Sequence, residues 1–475
     1  MRNLKEAVTS CIKKNVLVLL TICGVIVGVC SGLFLRDVKQ WTERDRMYIR
    51  YIGDIFLQML KGLIIPLIVS SLISAITSLD LSLSGRIAAR AIGYYLTTTS
   101  LAVILGIILV VTIEPGVGQS TSGGDTSKVQ DALIVDSVLD LGRSLFPSNL
   151  VDACIFQYRT RLIPNASESD KYRLAIETEK MDGTNILGLL IASVAIGVAI
   201  LHLKQEAEAV AEFFKALMAI MMKITTWVVW LSPIGVMFLV AHEVIKMEDL
   251  DTLVKSMGKY FGTVVVGLAI HGFLVLPTIY FVLTRKNPYT FIGHMSEAIT
   301  TAFGTASSSA TLPVTIRCLE NNVGVDKRIT RFALPIGSVI NLDGTALYEA
   351  VAAVFIAQMR GVDLNVGKLI VISITATAAA IGAAGIPQAG AVTMIMILNT
   401  LGLPASDISL IIGIDWLLDR CRTAVNVMGD SFGAAVVAHR SQKELTRTPK
   451  ARRKSRSVAS SISLQRQSQI LVDTT

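Results

Sequence analysis

"DWLLDRCRTAVNVMGD", residues 415–430, poses the central question of this chain. It carries Asp415, Asp419, Arg420, Arg422, Asn426 and Asp430, yet "ISLIIGI" precedes it and "SFGAAVVA" follows it. At 100° per residue, Asp415, Asp419, Arg422, Asn426 and Asp430 fall on one helix face within an arc of about 80°, and Arg420 points elsewhere. Each charge held at membrane depth costs roughly 2.5–3.5 kcal/mol, so a polar stripe in so apolar a setting reads as a functional surface.

The surroundings are membrane. Of 475 residues, 52% are hydrophobic and only 17% charged. Runs such as "NVLVLLTICGVIVGVCSGLFL" from Asn15 and "YYLTTTSLAVILGIILVVTI" from Tyr94 exceed the roughly 18 apolar residues that a span needs. Spans are expected to begin near residues 15, 53, 90, 184, 211 and 258. The first run is too long for a signal peptide and no small-residue cleavage site follows it, so it reads as an uncleaved span.

The net charge of +8 does not indicate nucleic-acid binding. Arg2, Lys5, Lys13 and Lys14 crowd one end, and nine Lys/Arg follow from Arg440 against Glu444 and Asp473, leaving the body slightly negative. By the positive-inside rule both termini are cytoplasmic, residues 1–14 as a short arm and 441–475 as a disordered, basic, lipid-facing tail. Six cysteines show neither metal nor redox spacing and lie mostly in or beside apolar runs. The polar stretch at roughly 115–183 follows three spans and is therefore extracellular, which makes Asn165 of "NAS" a usable glycosylation acceptor.

After the sixth span the pattern changes. "EAITTAFGTASSSATLPVTIRCL" and "TATAAAIGAAGIPQAGAVTMIMIL" are apolar at both ends and broken in the middle by Gly, Ser or Pro, and neither half is long enough to span. Each is followed by a longer helix with a polar interruption: "FALPIGSVINLDGTALYEAVAAVFIA" after the first, the 415–430 helix after the second. A hairpin followed by a helix, twice over, is the pattern of an internal repeat in a secondary transporter, with the binding site where the broken segments meet. Residues 15–285 thus hold mainly spans one to six, and 286–440 form the transport core.

In "NLDGTALYEA", Asn341, Asp343, Thr345 and Glu349 supply oxygens around a glycine, the donor set that hard alkali cations take. Asp343 and Asp430 have no basic neighbour in sequence and suit sodium, unless either is half of a buried ion pair. The tips "ASSSA" and "GIPQAG" offer backbone N–H groups and hydroxyls to a carboxylate. Asp419 can accept from an α-ammonium, Arg422 can fork onto a side-chain carboxylate, and Asn426 can bond an α-carboxylate. Glu349 has no evident partner and is either a proton carrier or a protonated structural donor. Five scattered histidines give the serines of "GTASSSAT" no base, so a hydrolase is not expected; no Lys-Ser/Thr phosphate loop is present either. No enzyme and no cofactor are expected; transport would run on ion gradients.

"TASSSATLPVT", "NLDGTALYEA", "GAAGIPQAG" and "DRCRTAVNVMGDSFGA", in that order, closely resemble the glutamate/aspartate transporter family, specifically the animal excitatory amino acid transporters. The likeness runs from about Asn15 to Ala438. It implies an all-α polytopic fold of eight spans plus two re-entrant hairpins, in a plasma-membrane homotrimer whose transport domain moves like an elevator. It implies import of L-glutamate and L/D-aspartate with sodium and a proton, return of potassium, and a chloride conductance. Implied substrate contacts are Ala306, Ser307, Ser308, Thr345, Ile386, Pro387, Gln388, Ala389, Gly390, Asp419, Arg422, Thr423 and Asn426. Implied sodium positions are Gly337, Asn341, Asn426 and Asp430; Tyr95, Thr98, Thr99, Asn341 and Asp343; and carbonyls of Val339, Ala380, Ile381 and Ala383. The chain departs from the family at Leu342, where Met is common, at Val339 for Thr and at Ala380 for Ser. Alternative readings are a glutamate-gated anion channel or a neutral amino acid or dicarboxylate carrier; Arg422 with Asp419 argues against the carrier.

Overall fold

The computed structural model describes residues 16–38, 41–77, 85–117, 134–163, 175–182, 184–246, 250–362, 364–382, 389–442 and 444. Both ends, the sequon at Asn165 and the second hairpin tip with Ala383, Ile386, Pro387 and Gln388 lie outside them.

Three helices open the described chain: α1 (Val16–Val38), α2 (Glu43–Thr77) and α3 (Gly85–Ile113). At 1.5 Å per residue the 35 residues of α2 run about 52 Å, more than a bilayer core needs. The polar stretch then forms α4 (Ile134–Leu145), α5 (Leu150–Ile155) and an antiparallel ribbon of β1 (Phe156–Ile163) and β2 (Ala175–Asp182), with Phe156 opposite Asp182. Helices α6 (Ile186–Leu203), α7 (Glu208–Val229) and α8 (Ser232–Lys246) follow; α7 and α8 are bent by 52°, with Pro233 at the start of α8.

Helix α9 (Leu250–Ile270) continues through a π turn, His271–Val275, into α10 (Leu276–Thr284). Helix α11 (Pro288–His294) leads into the first hairpin, α12 (Ser296–Thr305) and α13 (Ser308–Cys318). Ala306 turns the chain with φ of 50°, and Ser307 caps α13 by accepting from Ala310 N at 3.2 Å. A broken helix follows, α14 (Lys327–Ile340) and α15 (Asp343–Met359), interrupted at Asn341 and Leu342. The second hairpin arms are α16 (Val366–Gly382) and α17 (Ala389–Thr400), and α18 (Ser409–Arg440) is the long helix bearing the stripe. The arms α12, α13 and α17, 10–12 residues each, are about 15–18 Å long and too short to span.

Burial sorts these helices. In α15 every residue but Gln358 is buried, so this helix is enclosed on all sides, packed against α3, α16 and α18. The outer faces of α1 and α3 instead expose Ile26, Phe34, Ile104 and Ile108, an apolar outer surface. Close packing fixes α1 on α8: a Cβ on Gly28 would lie 2.6 Å from Met237 O, and one on Gly32 2.8 Å from Val244 Cβ. Glycines four apart let two backbones approach in lipid, where no hydrophobic effect draws helices together.

The helical, multi-pass body agrees with expectation; helices lie at or around each expected span start, although α2 begins at Glu43 rather than near 53 and α9 at Leu250 rather than near 258. Among the described residues five segments are long and apolar enough to cross a membrane, namely α1, α2, α3, α9 with α10 across the π turn, and α14 with α15 across the break, and the bent α7–α8 pair makes a sixth. The β1–β2 ribbon was not foreseen.

Candidate functional site

At the break between α14 and α15 the chain gathers oxygens. Asn341 Oδ1 accepts from Thr98 Oγ1 at 3.1 Å, and Asp343 Oδ1 accepts from Thr99 Oγ1 at 2.7 Å. Asn341 Nδ2 donates to Asp430 Oδ1 at 3.2 Å, and the Tyr95 hydroxyl donates to Ala333 O at 3.0 Å. All of Tyr95, Thr98, Thr99, Asn341, Asp343 and Asp430 are buried. Gly337 is required by contact, since a Cβ there would sit 2.6 Å from Asp430 Oδ1 and 2.9 Å from Tyr95 Oη. Two carboxylates, an amide, two threonine hydroxyls and a tyrosine from α3, α14, α15 and α18 thus converge, a hard-oxygen nest suited to a dehydrated alkali cation. Val339 and Ala380 are buried and Ile381 partly so, on the flanking helices α14 and α16.

The stripe on α18 is buried along its length: Asp415, Asp419, Arg422, Asn426 and Asp430 are all below 9% exposed. Arg422 Nη2 lies 2.8 Å from Asp419 Oδ1 and 3.1 Å from Asp415 Oδ1, and its guanidinium carbon stands 3.9 Å from the centroid of the Tyr348 ring. Two anions and an aromatic face compensate one buried cation. Its Nε and Nη1 have no hydrogen-bond partner among the described residues, so the fork keeps donors to offer. Asn426 Oδ1 accepts from Gly344 N at 2.7 Å, and its Nδ2 donates to Thr345 Oγ1 at 3.2 Å. An amide nitrogen carries two hydrogens, so Asn426 ties the stripe to the broken helix and retains one donor.

The hairpins close on these groups. Ser308 Oγ donates to Ser338 O at 3.3 Å, bringing the first tip onto the broken helix. In the first turn of α17, Gly390 meets Arg422 so closely that a Cβ there would collide with Nη1. Thr423 Oγ1 donates to Asp419 O at 2.8 Å. Glu349 is fully buried, accepts from the Thr393 hydroxyl of α17 through Oε1, and has no partner among the described residues for Oε2. Ser308 thus ties the tip, with Ala306 and Ser307, to the broken helix; Thr345 meets Asn426 of the stripe, and Gly390, Asp419, Arg422 and Thr423 gather along it. Ala389 is placed by its backbone alone, beginning α17.

Two expectations need correction. Glu349 does have a partner, Thr393, supplied by a hairpin 44 residues away. Asp343 does have a basic neighbour that sequence distance concealed: the π turn brings His271 Nε2 to 3.2 Å from Asp343 Oδ2. Sequence reading also gave no role to Asp415 or Tyr348, both against Arg422. The periodicity that set Asp415 on the stripe was the available signal for it. Arg420 does point away from the stripe, and donates to Phe303 O at 2.8 Å and Gly304 O at 2.9 Å in the last turn of α12.

The Sodium:dicarboxylate symporter family profile matches residues 17–440. The chain is 47% identical over 470 residues to excitatory amino acid transporter 2 of Mus musculus, covering 94% of this chain and 82% of that protein. It is 45% identical over 457 residues to excitatory amino acid transporter 3 of Homo sapiens, covering 91% and 87%. It is 44% identical over 467 residues to excitatory amino acid transporter 1 of Ambystoma tigrinum, covering 93% and 86%. A match of that length and identity, over a chain whose broken helices and buried charges meet at one site, means that this protein belongs to the sodium:dicarboxylate symporter family.

Proposed function

We propose that this chain is a sodium-coupled importer of L-glutamate and L/D-aspartate in the plasma membrane, and not an enzyme. The observation that carries the reading is Arg422, buried beside Asp419 with donors unused and set next to the oxygen nest. An acidic amino acid brings an ammonium and two carboxylates. Asp419 takes the ammonium and Arg422 the side-chain carboxylate. The remaining Nδ2 hydrogen of Asn426, with Ser307, Ser308 and the second tip, takes the α-carboxylate. Asp430, Asn341, Asn426 and the Gly337 carbonyl hold one sodium ion, and Tyr95, Thr98, Thr99, Asn341 and Asp343 a second. Carbonyls near Val339 and from Ala380 to Ala383 hold a third. Glu349 carries the cotransported proton and permits the potassium-bound return; a chloride conductance accompanies the cycle.

In this reading the chain is a homotrimer with cytoplasmic termini. Residues 286–440 are a core that moves past α1, α2, α7 and α8. Eight spans are supported by the five long apolar helices and the bent pair, together with α6 and with α18, whose charges alone set it apart from apolar helices. Arg422 disfavours a neutral amino acid carrier, whose ligand leaves the guanidinium unmatched. The deciding experiment is uptake of labelled L-glutamate by proteoliposomes of the purified chain. Uptake should require a sodium gradient and be competed by aspartate; sodium-independent uptake, or none, overturns the proposal.

A further inference from the structure

Away from the stripe, three elements meet through a second buried polar network. Glu243, near the end of α8, accepts from Ser409 Oγ in the first turn of α18 at 2.7 Å. Arg360, capping α15, grips Asp407 with both forks, Nε to Oδ2 at 2.7 Å and Nη2 to Oδ1 at 2.6 Å. Asp407 lies two residues before Ser409, so Arg360 joins α15 to the start of α18 on one side. On the other side, His242 Nδ1 lies 3.2 Å from Arg46 O of α2. The network falls into two halves, α2 with α8 and α15 with α18; among the described residues the Glu243–Ser409 hydrogen bond crosses between them, and the Arg360 charge acts on Glu243 across the same seam.

The crossing is well built. Glu243 is 8% exposed and Ser409 2%. Helix α18 continues from a 3-10 turn, Ala405–Ile408, whose first turn carries Asp407, and Ser409 at the junction offers its hydroxyl to a carboxylate. Glu243 meets that hydroxyl from another helix. Beside the crossing there is room for a methyl group: a Cβ on Gly413 of α18 would meet Val240 of α8 in ordinary contact, at 3.5 Å. A polar lock on this seam holds two bodies in register and releases them as a unit.

We infer that the Glu243–Ser409 pair is a latch that holds the α15–α18 core against α2 and α8 in the conformation seen here, and whose opening the core must pay for when it moves. The inference rests on the moving-core reading above. Its strength is that of one charge-assisted hydrogen bond, worth about a tenfold bias between conformations.

The test uses the full chain in lipid nanodiscs with spin labels at the exposed positions Tyr48 of α2 and Ile370 of α16, read as distance distributions. Glu243→Ala should raise the minor population about tenfold relative to unsubstituted labelled protein. Ser409→Ala should do the same, and the double variant no more than either alone. Glu243→Gln, which keeps an acceptor but not the charge, should fall between. Thermal unfolding of each variant checks that the fold is retained. Unchanged distributions in Glu243→Ala, or additive effects in the double variant, overturn the latch. A single distance in the unsubstituted chain across sodium and aspartate titrations overturns the moving core itself, and the latch with it; two distances with no response to Glu243→Ala overturn the latch alone.

Discussion

Arg422 donates from Nη2 to Asp419 Oδ1 at 2.8 Å, so the two charges assigned to opposite groups of one ligand are held against each other on adjacent turns of α18. On the proposed function an acidic amino acid would resolve this pair by exchange: its ammonium would replace the guanidinium at Asp419, and its carboxylate would replace Asp419 at Arg422. Charges already stripped of water stay paired throughout, which limits the desolvation cost of binding. A neutral amino acid satisfies only one side.

Arg422→Cys tests this exchange. Removing one partner of a buried pair costs about 3–5 kcal/mol, equal to roughly two to three and a half decades in affinity for glutamate and aspartate. An ammonium can then take the place of the guanidinium at Asp419, and room opens beside Gly390, so serine, alanine and cysteine should become better substrates. Competition uptake with acidic and neutral amino acids reads both changes. Wild-type aspartate affinity with no gain for serine would make Arg422 structural.

Gly337→Ala probes the oxygen nest without touching a ligating side chain. Its Cβ would enter the space of Asp430 Oδ1 at 2.6 Å and Tyr95 Oη at 2.9 Å, so the carboxylate must move. The sodium concentration for half-maximal uptake should rise severalfold, and Asp430→Asn, which removes the compensating charge, should raise it further. Substrate affinity at saturating sodium should recover in Gly337→Ala. An equal loss at limiting and saturating sodium would place the damage on the substrate instead.

The parts legible in the sequence are those governed by local periodicity. The 3.6-residue period placed Asp415, Asp419, Arg422, Asn426 and Asp430 on one face, and all five are buried together. Asn341, Asp343 and Gly344 stood out as polar and flexible residues inside an apolar run, and the helix does break there. What escaped was set by tertiary approach: Thr393 reaching Glu349 from a hairpin, His271 reaching Asp343 through a π turn, Arg420 finding carbonyls of α12. The ribbon escaped for a different reason. Phe156, Tyr158, Thr160 and Leu162 alternate with Gln157, Arg159 and Arg161, a period-2 pattern obscured by the polar composition around it.

Glu349→Gln fixes the neutral form of a side chain enclosed between α15 and α17. Sodium-dependent exchange of internal for external aspartate should continue, because no substrate contact is lost. Net uptake that depends on internal potassium should fail. Thr393→Val removes the hydroxyl donor and leaves a buried carboxyl without its partner, a penalty of about 1–3 kcal/mol. It should therefore shift the pH dependence of net uptake while sparing exchange. Potassium-dependent net uptake at the wild-type rate in Glu349→Gln would remove Glu349 from the coupling role.

Arg420 is expected to set the shape of the first tip. The last carbonyls of a helix have no partner within it, and α12 ends at Phe303, Gly304 and Thr305, exposed residues beside the buried tip. Arg420 supplies two donors to Phe303 O and Gly304 O, and a positive charge at the negative end of the helix dipole. The next residues are Thr305, Ala306 with φ of 50°, and the cap Ser307, so the turn that presents Ser307 and Ser308 hangs from these two bonds. Arg420→Gln keeps a single fork of donors and loses the charge, at a cost of about 1.5–3 kcal/mol for a charged hydrogen bond. Backbone amides of residues 302–308 should exchange with deuterium about tenfold faster or more, and substrate affinity should weaken with little change in the sodium requirement. Arg420→Lys should restore only part of both: it keeps the charge, and one ammonium nitrogen can donate to both carbonyls as Nη1 does, but its side chain reaches one bond less far. Unaltered exchange across 302–308 in Arg420→Gln would mean that the tip is held by Ser307, Thr305 and Thr311 alone, whose hydroxyl bonds already tie the turn to itself.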